Sequence, residues 1–177
     1  KRGGKGVRAA GMKEEDFVEK VSVTSTHAYL LCFTDKGQLY WLKVYQIPEG
    51  SRQSKGKHMQ NMLEMEQGET ITAIIAVPHF EEGYLVMVTR DGTIKKTELA
   101  EFSRPRRGGI RALTIDEGDE LVTVRYTKGN TEMLIATRQG MANRFAESDV
   151  RPMGRTARGV RGIRLRKDDA VIGMIYA

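Results

Sequence analysis

The chain has 177 residues, which is long enough for one domain with a real hydrophobic core. Hydrophobic residues make up 40% of it and charged residues 29%, and no apolar run approaches the roughly 20 residues that a membrane helix needs. No apolar segment follows the basic N-terminal residues, so we expect no signal peptide. The net charge of +6 and the isoelectric point near 9.5 make nucleic acid a candidate partner, although the total charge alone decides little.

The first predicted elements are a basic stretch and three strands. Residues 1–8 place lysines, arginines and glycines together with no acidic residue. Alternating apolar and polar residues, rich in β-branched types, predict strands over residues 17–24, 28–34 and 38–45. The last two strands are joined by a turn that ends at Gly37, where glycine tolerates a positive φ.

The same order of elements then returns. We predict the strands of the later copies over residues 71–77, 84–89, 93–97, 120–126, 133–137, 141–145 and 170–177. The three predicted hairpins share a Thr-x-x-Gly turn, at residues 34–37, 89–92 and 137–140. Residues 54–66 are the best helical candidate, but their glycine and basic start favour a loop and a short strand. The chain is therefore predicted to be all-β.

Four basic segments alternate with these strands, namely residues 1–8, 52–57, 104–111 and 151–167. They hold more than half of the 29 lysines and arginines and none of the 23 acidic residues, so the rest of the chain is acidic. Their glycines Gly6, Gly56, Gly109 and Gly159 recur at intervals of about 50 residues, the period of blade-type β repeats rather than of helical solenoids. This spacing predicts that each copy of a β unit carries the same basic loop, so that the cations line up along one rim.

These repeats predict a single propeller-like domain over residues 1–177 with four-stranded blades. The repeat units run approximately over residues 1–50, 51–103, 104–153 and 154–177, which gives about three blades plus part of a fourth. A closed propeller has about 4–8 blades, so this chain would form an arc with exposed sheet edges, which proteins usually protect. We therefore expect the chain to be a piece of a longer ring, or its ends to be covered by partners.

Five motifs carry a resemblance to a known family. They are Arg2-Gly3-Gly4-Lys5-Gly6, Met12–Phe17, Lys43–Pro48, Gly92–Thr97 and Gly159–Leu165. The first matches most of a Gln-Arg-Arg-Gly-Gly-Lys-Gly box, with Lys1 at the place of an arginine. As a set, and over essentially the whole chain, the motifs resemble the C-terminal domain of the A subunit of bacterial DNA gyrase, which is part of a type II topoisomerase.

The resemblance implies a β-pinwheel, a propeller-like disc whose blades exchange strands and whose outer rim is basic. Duplex DNA would lie along that rim and bend, and a holoenzyme of two A and two B subunits would use ATP and Mg²⁺ bound elsewhere to introduce negative supercoils. The implied partners are double-stranded DNA and the rest of the gyrase holoenzyme, with no membrane. The implied location is the bacterial cytoplasm, in association with the nucleoid.

Cations from the four basic segments are the predicted contacts to DNA phosphates. Lysine and arginine neutralise phosphates and release counterions without reading bases, and glycine lets the backbone approach a phosphate closely. We therefore predict binding with little sequence preference. The predicted DNA-binding residues are Lys1, Arg2, Lys5, Arg8, Lys55, Lys57, Arg104, Arg106, Arg107, Arg111, Arg158, Arg161 and Arg164.

We predict no catalytic residue, metal site or cofactor within the chain. Tyr126 follows an arginine, as the cleavage tyrosine of type II topoisomerases does, but it lies in an alternating strand. His27, His58 and His79 lack the spacing of zinc ligands, and no P-loop motif is present for ATP. Cys32 lies in an apolar run, which predicts a buried small side chain and suits a reducing compartment.

Acidic residues recur just before predicted strands, at residues 14–16, 116–120 and 168–169. Turn residues exposed to solvent explain them better than Mg²⁺ ligands or an acid–base pair. Trp41 and the tyrosines of the strands could stack on bases, but their place in alternating strands favours the core.

Two alternatives to a gyrase wrapping domain stay open at this point. The first is the equivalent domain in the A subunit of topoisomerase IV, which would wrap DNA more weakly. The second is a protein-interaction propeller whose basic rim meets acidic partners.

Overall fold

A computed structural model of the chain describes residues 28–46 and 61–177. This part of the chain is built of short strands with three short 3-10 helices, at Val44–Gln46, Leu99–Phe102 and Glu147–Asp149. The strands are β1 (Tyr29–Thr34), β2 (Gln38–Lys43), β3 (Ile71–Val77), β4 (Tyr84–Thr89), β5 (Thr93–Glu98), β6 (Ile110–Arg111), β7 (Leu121–Thr127), β8 (Glu132–Thr137), β9 (Ala142–Ala146), β10 (Val160–Arg161) and β11 (Val171–Tyr176). No helix among the described residues has the length and apolar character needed to cross a membrane.

The strands form three antiparallel sheets, which we call the first, second and third blade. The first blade has the order β3-β1-β2-β6, the second β10-β5-β4-β7 and the third β11-β8-β9. Strands β3, β7 and β11 pack against one another in succession, which stacks the blades side by side. The expected all-β pinwheel is confirmed, with two four-stranded blades and one three-stranded blade among the described residues.

Each four-stranded blade takes its strands from three successive sequence units. In the first blade, β1 and β2 come from the first unit, β3 from the second and β6 from the third. The second blade repeats this arrangement one unit later with β4 and β5, β7 and β10. Neighbouring blades are therefore interlocked through the chain, and a sequence unit does not coincide with a blade.

The hairpin turns follow from their Thr-x-x-Gly sequence. In each turn the threonine hydroxyl accepts a hydrogen bond from the backbone N–H four residues later. The three acceptor–donor pairs are Thr34 with Gln38 at 3.3 Å, Thr89 with Thr93 at 3.2 Å and Thr137 with Met141 at 3.0 Å. The shared turn chemistry fixes the same register in all three hairpins, in which Phe33 pairs with Leu39, Val88 with Ile94 and Ala136 with Ala142.

Two of the three apolar clusters in the described residues lie between neighbouring blades, and the third is formed by the first blade with the residues before β3. Phe33 of the first blade and Met87 of the second are fully buried in one cluster, together with Phe102 from the connection that follows β5. Val86 of the second blade and Ile135 of the third belong to a separate cluster between those two blades. Successive side chains of β4 therefore pack alternately against the first blade and the third, as expected for a strand that is buried on both faces.

The structure corrects several predicted boundaries. The strand predicted over residues 38–45 ends at Lys43, and a 3-10 helix follows that leaves Tyr45 exposed. The strands predicted over residues 120–126 and 141–145 are each shifted one residue later, and the one over residues 170–177 is shorter at both ends. The strand predicted over residues 17–24 and residues 54–60 of the connection lie outside the described residues. Of the rest of the connection, which was predicted to be a loop and a short strand, residues 61 and 62 are helical and no strand is present in residues 61–66.

Candidate nucleic-acid interface

The described residues include seven of the predicted DNA contacts, and all seven side chains are exposed. They are Arg104, Arg106, Arg107, Arg111, Arg158, Arg161 and Arg164. The remaining predicted contacts, Lys1, Arg2, Lys5, Arg8, Lys55 and Lys57, lie outside the described residues. The interface is therefore built here from the third and fourth basic segments, residues 104–111 and 151–167.

Arg111 and Arg161 occupy equivalent positions on the outer edges of neighbouring blades. In the first blade β6 is an edge strand, with Arg111 opposite Gln38 and Ile110 opposite Leu39. In the second blade β10 is the edge strand, with Arg161 opposite Thr93. Gln38 and Thr93 each follow a hairpin-turn glycine directly. The two arginines, which we call the rim arginines, are thus presented with the same register relative to their hairpins.

A glycine is required two residues before each rim arginine. Gly109 has φ +74° and Gly159 has φ +95°, in the left-handed region that side chains disfavour. A Cβ on Gly109 would lie 2.8 Å from the backbone oxygen of Leu39. On Gly159 it would collide with the backbone oxygen of Ile94. The basic loop can therefore turn onto the edge of the blade only with glycine at this position.

The residue after each rim arginine is bonded to the hairpin turn of the same blade. The N–H of Ala112 donates to the backbone oxygen of Gly37, and the N–H of Gly162 donates to that of Gly92, both at 2.8 Å. These bonds continue the short pairing of β6 and β10 by one residue. Together with the strand pairing they tie each basic loop to the blade that it crosses.

Two of the seven arginines form surface ion pairs with the preceding sequence unit. Arg107 lies 2.7 Å from Glu64, and Arg158 lies 3.1 Å from Asp116 across a cleft of about 410 Å³. All four side chains are more than half exposed. Exposed pairs of this kind contribute about 0–1 kcal/mol, so a phosphate can replace the carboxylate at little cost. No carboxylate lies within ion-pairing distance of the other five arginines in the described part of the chain.

Lys95 is a buried cation that sequence reasoning missed. Its Nζ donates to the backbone oxygen of Ala112 at 2.7 Å and also to that of Arg155, and its side chain is fully buried. Burial lowers the pKa of Lys95 to about 8, against an opposing effect of Glu101. A lysine in an alternating strand is normally expected on the solvent face, so only knowledge of the crossing loop would have identified this position.

Lys96 points to the other side of β5 and pairs with Glu147. Its Nζ lies 3.7 Å from the Glu147 carboxylate and donates to the Glu147 backbone oxygen at 3.2 Å. Burial opposes ionisation of Glu147, but hydrogen bonds from Thr127, Thr131 and Gly129 lower the pKa of this carboxyl below its ordinary value. Lys96 is therefore a structural cation that holds the second blade to the third.

The other residues considered for chemistry have structural roles. The Tyr126 hydroxyl donates to the backbone oxygen of Glu82 at 3.2 Å, which fixes β7. Asp119 and Asp169 each accept two backbone N–H groups, one of them in the neighbouring hairpin turn, so these acidic residues cap turns. Cys32 is buried in β1, as predicted.

Comparison with known proteins over nearly the whole chain identifies the family that the sequence motifs resemble. The family model described as the DNA gyrase C-terminal domain, a beta-propeller, matches residues 1–25, 28–78, 83–128 and 131–177. The A subunit of DNA gyrase from Salmonella typhimurium strain LT2 is 51% identical over 176 residues, which cover 99% of this chain and 20% of that protein. The corresponding protein of Escherichia coli K12 is 48% identical over 176 residues, with the same coverage of both chains. The chain thus spans about a fifth of the length of these relatives.

Solved structures agree on the fold. The C-terminal domain of DNA topoisomerase IV superposes with a TM-score of 0.78 at 31% identity and covers 87% of this chain and 48% of that one. The DNA gyrase A C-terminal domain gives a TM-score of 0.71 at 21% identity, over 86% of this chain and 49% of that one. Since the family model matches nearly every residue and the gyrase relatives are about 50% identical, this chain belongs to the DNA gyrase C-terminal domain family of beta-propellers.

Proposed function

We propose that this chain is a non-catalytic DNA-wrapping domain from the A subunit of DNA gyrase. The observation that carries the proposal is the equivalent placement of Arg111 and Arg161 on the edges of neighbouring blades. Cations repeated at the same place on successive blades can follow the phosphate backbone of a curved duplex. No base-reading group is needed for this, so the binding has little sequence preference.

The number of contacts matters because bent DNA stores energy. Bending a site of 20–30 bp by 40–90° costs on the order of 1–6 kcal/mol, which many phosphate contacts can offset. All 13 predicted contact residues belong to this proposal, including those in residues 1–8 and 52–57 that lie outside the described residues. In the intact enzyme, the other parts of the gyrase A and B proteins would carry out DNA cleavage and ATP hydrolysis with Mg²⁺. The bent segment would then be passed so that negative supercoils form.

A nicked-circle ligation assay tests the proposal. The intact protein that contains this chain is bound to a nicked circular plasmid without ATP, the nick is sealed and the linking number is measured after the protein is removed. Wrapping of the gyrase type leaves a positive linking difference that grows with the amount of protein bound. Bound protein with no linking difference would contradict the proposal.

The likeness to the topoisomerase IV domain makes that enzyme the second candidate. A domain of that type would bind the circle but leave little linking difference, so the same assay separates the two. A protein-interaction propeller would instead release its acidic protein partner only weakly when plasmid DNA is added in competition. The gyrase proposal has the stronger support because the curated gyrase relatives are 48–51% identical to this chain.

A further inference from the structure

Two polar side chains occupy the same place in successive blades and make the same contact. Lys95 is the third residue after the hairpin glycine Gly92, and Asn143 is the third residue after Gly140. Each lies on the second strand of its hairpin, β5 or β9. The Lys95 Nζ donates to the backbone oxygen of Ala112 at 2.7 Å, and the Asn143 Nδ2 donates to that of Gly162 at 2.8 Å.

These two acceptors are the residues that directly follow the rim arginines. Ala112 and Gly162 already donate their N–H groups to the hairpin-turn glycine of one blade. Their carbonyl oxygens accept from the polar side chain of the next blade. Ala112 and Gly162 are therefore each hydrogen-bonded to two consecutive blades, because the backbone N–H donates to one blade and the carbonyl oxygen accepts from the next.

The repetition indicates that the hydrogen-bond donor matters rather than the charge. Lysine in the second blade and neutral asparagine in the third reach equivalent carbonyls. A buried ammonium is costly, and a donor to two carbonyls accounts for its presence. The second acceptor of Lys95 is the backbone oxygen of Arg155, so this side chain also links the third basic segment to the fourth.

We propose that Lys95 and Asn143 are positioning residues for DNA wrapping, which set the spacing of Arg111 and Arg161 along the rim. This inference rests on the proposed function. The affinity of a single blade for phosphates depends on that blade's own arginines. Wrapping depends in addition on the relation between blades, because successive arginines must meet phosphates in phase along a curved duplex. Loss of the donor leaves a carbonyl without its partner and removes one of the bonds between the loop and the next blade.

The test compares two donor-free variants, Lys95→Met and Asn143→Leu, in the intact protein together with the other chains of the holoenzyme. Asn143 is only partly buried, so its variant is informative even if the lysine variant is poorly folded. Lys95→Asn gives the second blade the same hydrogen-bond donor that the third blade has at Asn143. Lys128→Met is the control, because it removes an exposed charge outside the basic segments. Three quantities are measured: the linking difference per bound protein, the affinity for a short linear duplex, and the melting temperature.

We expect both donor-free variants to lose about half or more of the linking difference while the affinity for the short duplex stays within about threefold. Lys95→Asn should recover much of the loss, and Lys128→Met should behave as the wild type. Unchanged linking differences in both donor-free variants would overturn this inference and leave the proposed function standing. A parallel fall in linking difference, affinity and melting temperature would also overturn it, in favour of a purely structural role. A wild-type protein without any linking difference would overturn the proposed function, and this inference with it.

Discussion

Lys95 combines complete burial with an environment that offers mainly backbone carbonyls. Its ammonium is bonded to the carbonyl oxygens of Ala112 and Arg155, and the charges that affect its pKa are those of Glu101 and of the Arg155 side chain. Glu101 favours the charged form, whereas burial and Arg155 disfavour it, and burial is the largest effect. The pKa of Lys95 falls to about 8 from an ordinary value of 10.5, so the folded chain releases this proton at lower pH than the unfolded chain does.

This lowered pKa predicts the sign of a pH effect on stability. Between about pH 8 and pH 10.5 the unfolded chain holds a proton on Lys95 that the folded chain has released, so folding becomes more favourable as pH rises. The contribution is absent below both pKa values. The free energy of unfolding of the wild type and of Lys95→Met can be measured by urea unfolding at pH 7 and pH 10, followed by Trp41 fluorescence. The difference between the two proteins should shift in favour of the wild type at the higher pH. Parallel pH profiles for the two proteins would contradict this assignment.

Among the elements, β6 and β10 are the two-residue strands that join a basic loop to a blade. Each pairs through only two residues with the edge of a hairpin and depends on a glycine in the left-handed region just before it. Such short pairing has little intrinsic stability, so the backbone conformation of the glycine is a large part of what holds it.

We therefore predict a sharp difference between two adjacent glycines. Gly109→Ala forces a positive φ on alanine and brings its Cβ to 2.8 Å from the Leu39 oxygen, which should destabilise the chain by roughly 1–3 kcal/mol. At Gly108, an added Cβ meets no atom within 4 Å and the φ is not in the positive region, so Gly108→Ala is the matched control. Urea unfolding of the two variants measures the difference. Equal stabilities would show that β6 does not depend on the turn at Gly109.

The hairpins could be predicted from the sequence, whereas β6 and β10 could not. The hairpins have local signals, since Thr89 and Gly92 specify the turn and the alternating residues of β4 and β5 specify the strands. A two-residue strand has no periodicity, and the partner of Arg111 is Gln38, which lies far away in the sequence. Exchange of strands between units was implied only by the family resemblance. The exposed arginines of the candidate interface could be predicted because they cluster locally in the sequence. The buried Lys95 could not, because the carbonyls that it bonds belong to Ala112 and Arg155 in later sequence units.

At the scale of the whole molecule, charge is sorted by position. In the described part of the chain, the basic segments at residues 104–111 and 151–167 cross the outer edges of the blades. Acidic residues such as Asp119 and Asp169 cap the turns, and Glu147 lies buried against Lys96. Five of the seven described arginines of the candidate interface are thus left without an ion pair among the described residues, while several acidic side chains have roles within the fold. This separation lets a strongly basic interface coexist with a chain whose net charge is only +6.

The salt dependence of DNA binding reports how many phosphates this rim neutralises. If about 8 phosphates are contacted, the plot of log K against log salt concentration for duplex DNA should have a slope near −7. Arg161→Gln should weaken binding to all sequences alike and make the slope shallower by about 1, because one phosphate contact is lost. Lys128→Gln removes an exposed charge outside the basic segments and should leave the slope unchanged. A fluorescence titration of the intact protein over a range of salt concentrations measures both effects. A wild-type slope shallower than about −2 would mean too few phosphate contacts to bend DNA around the rim.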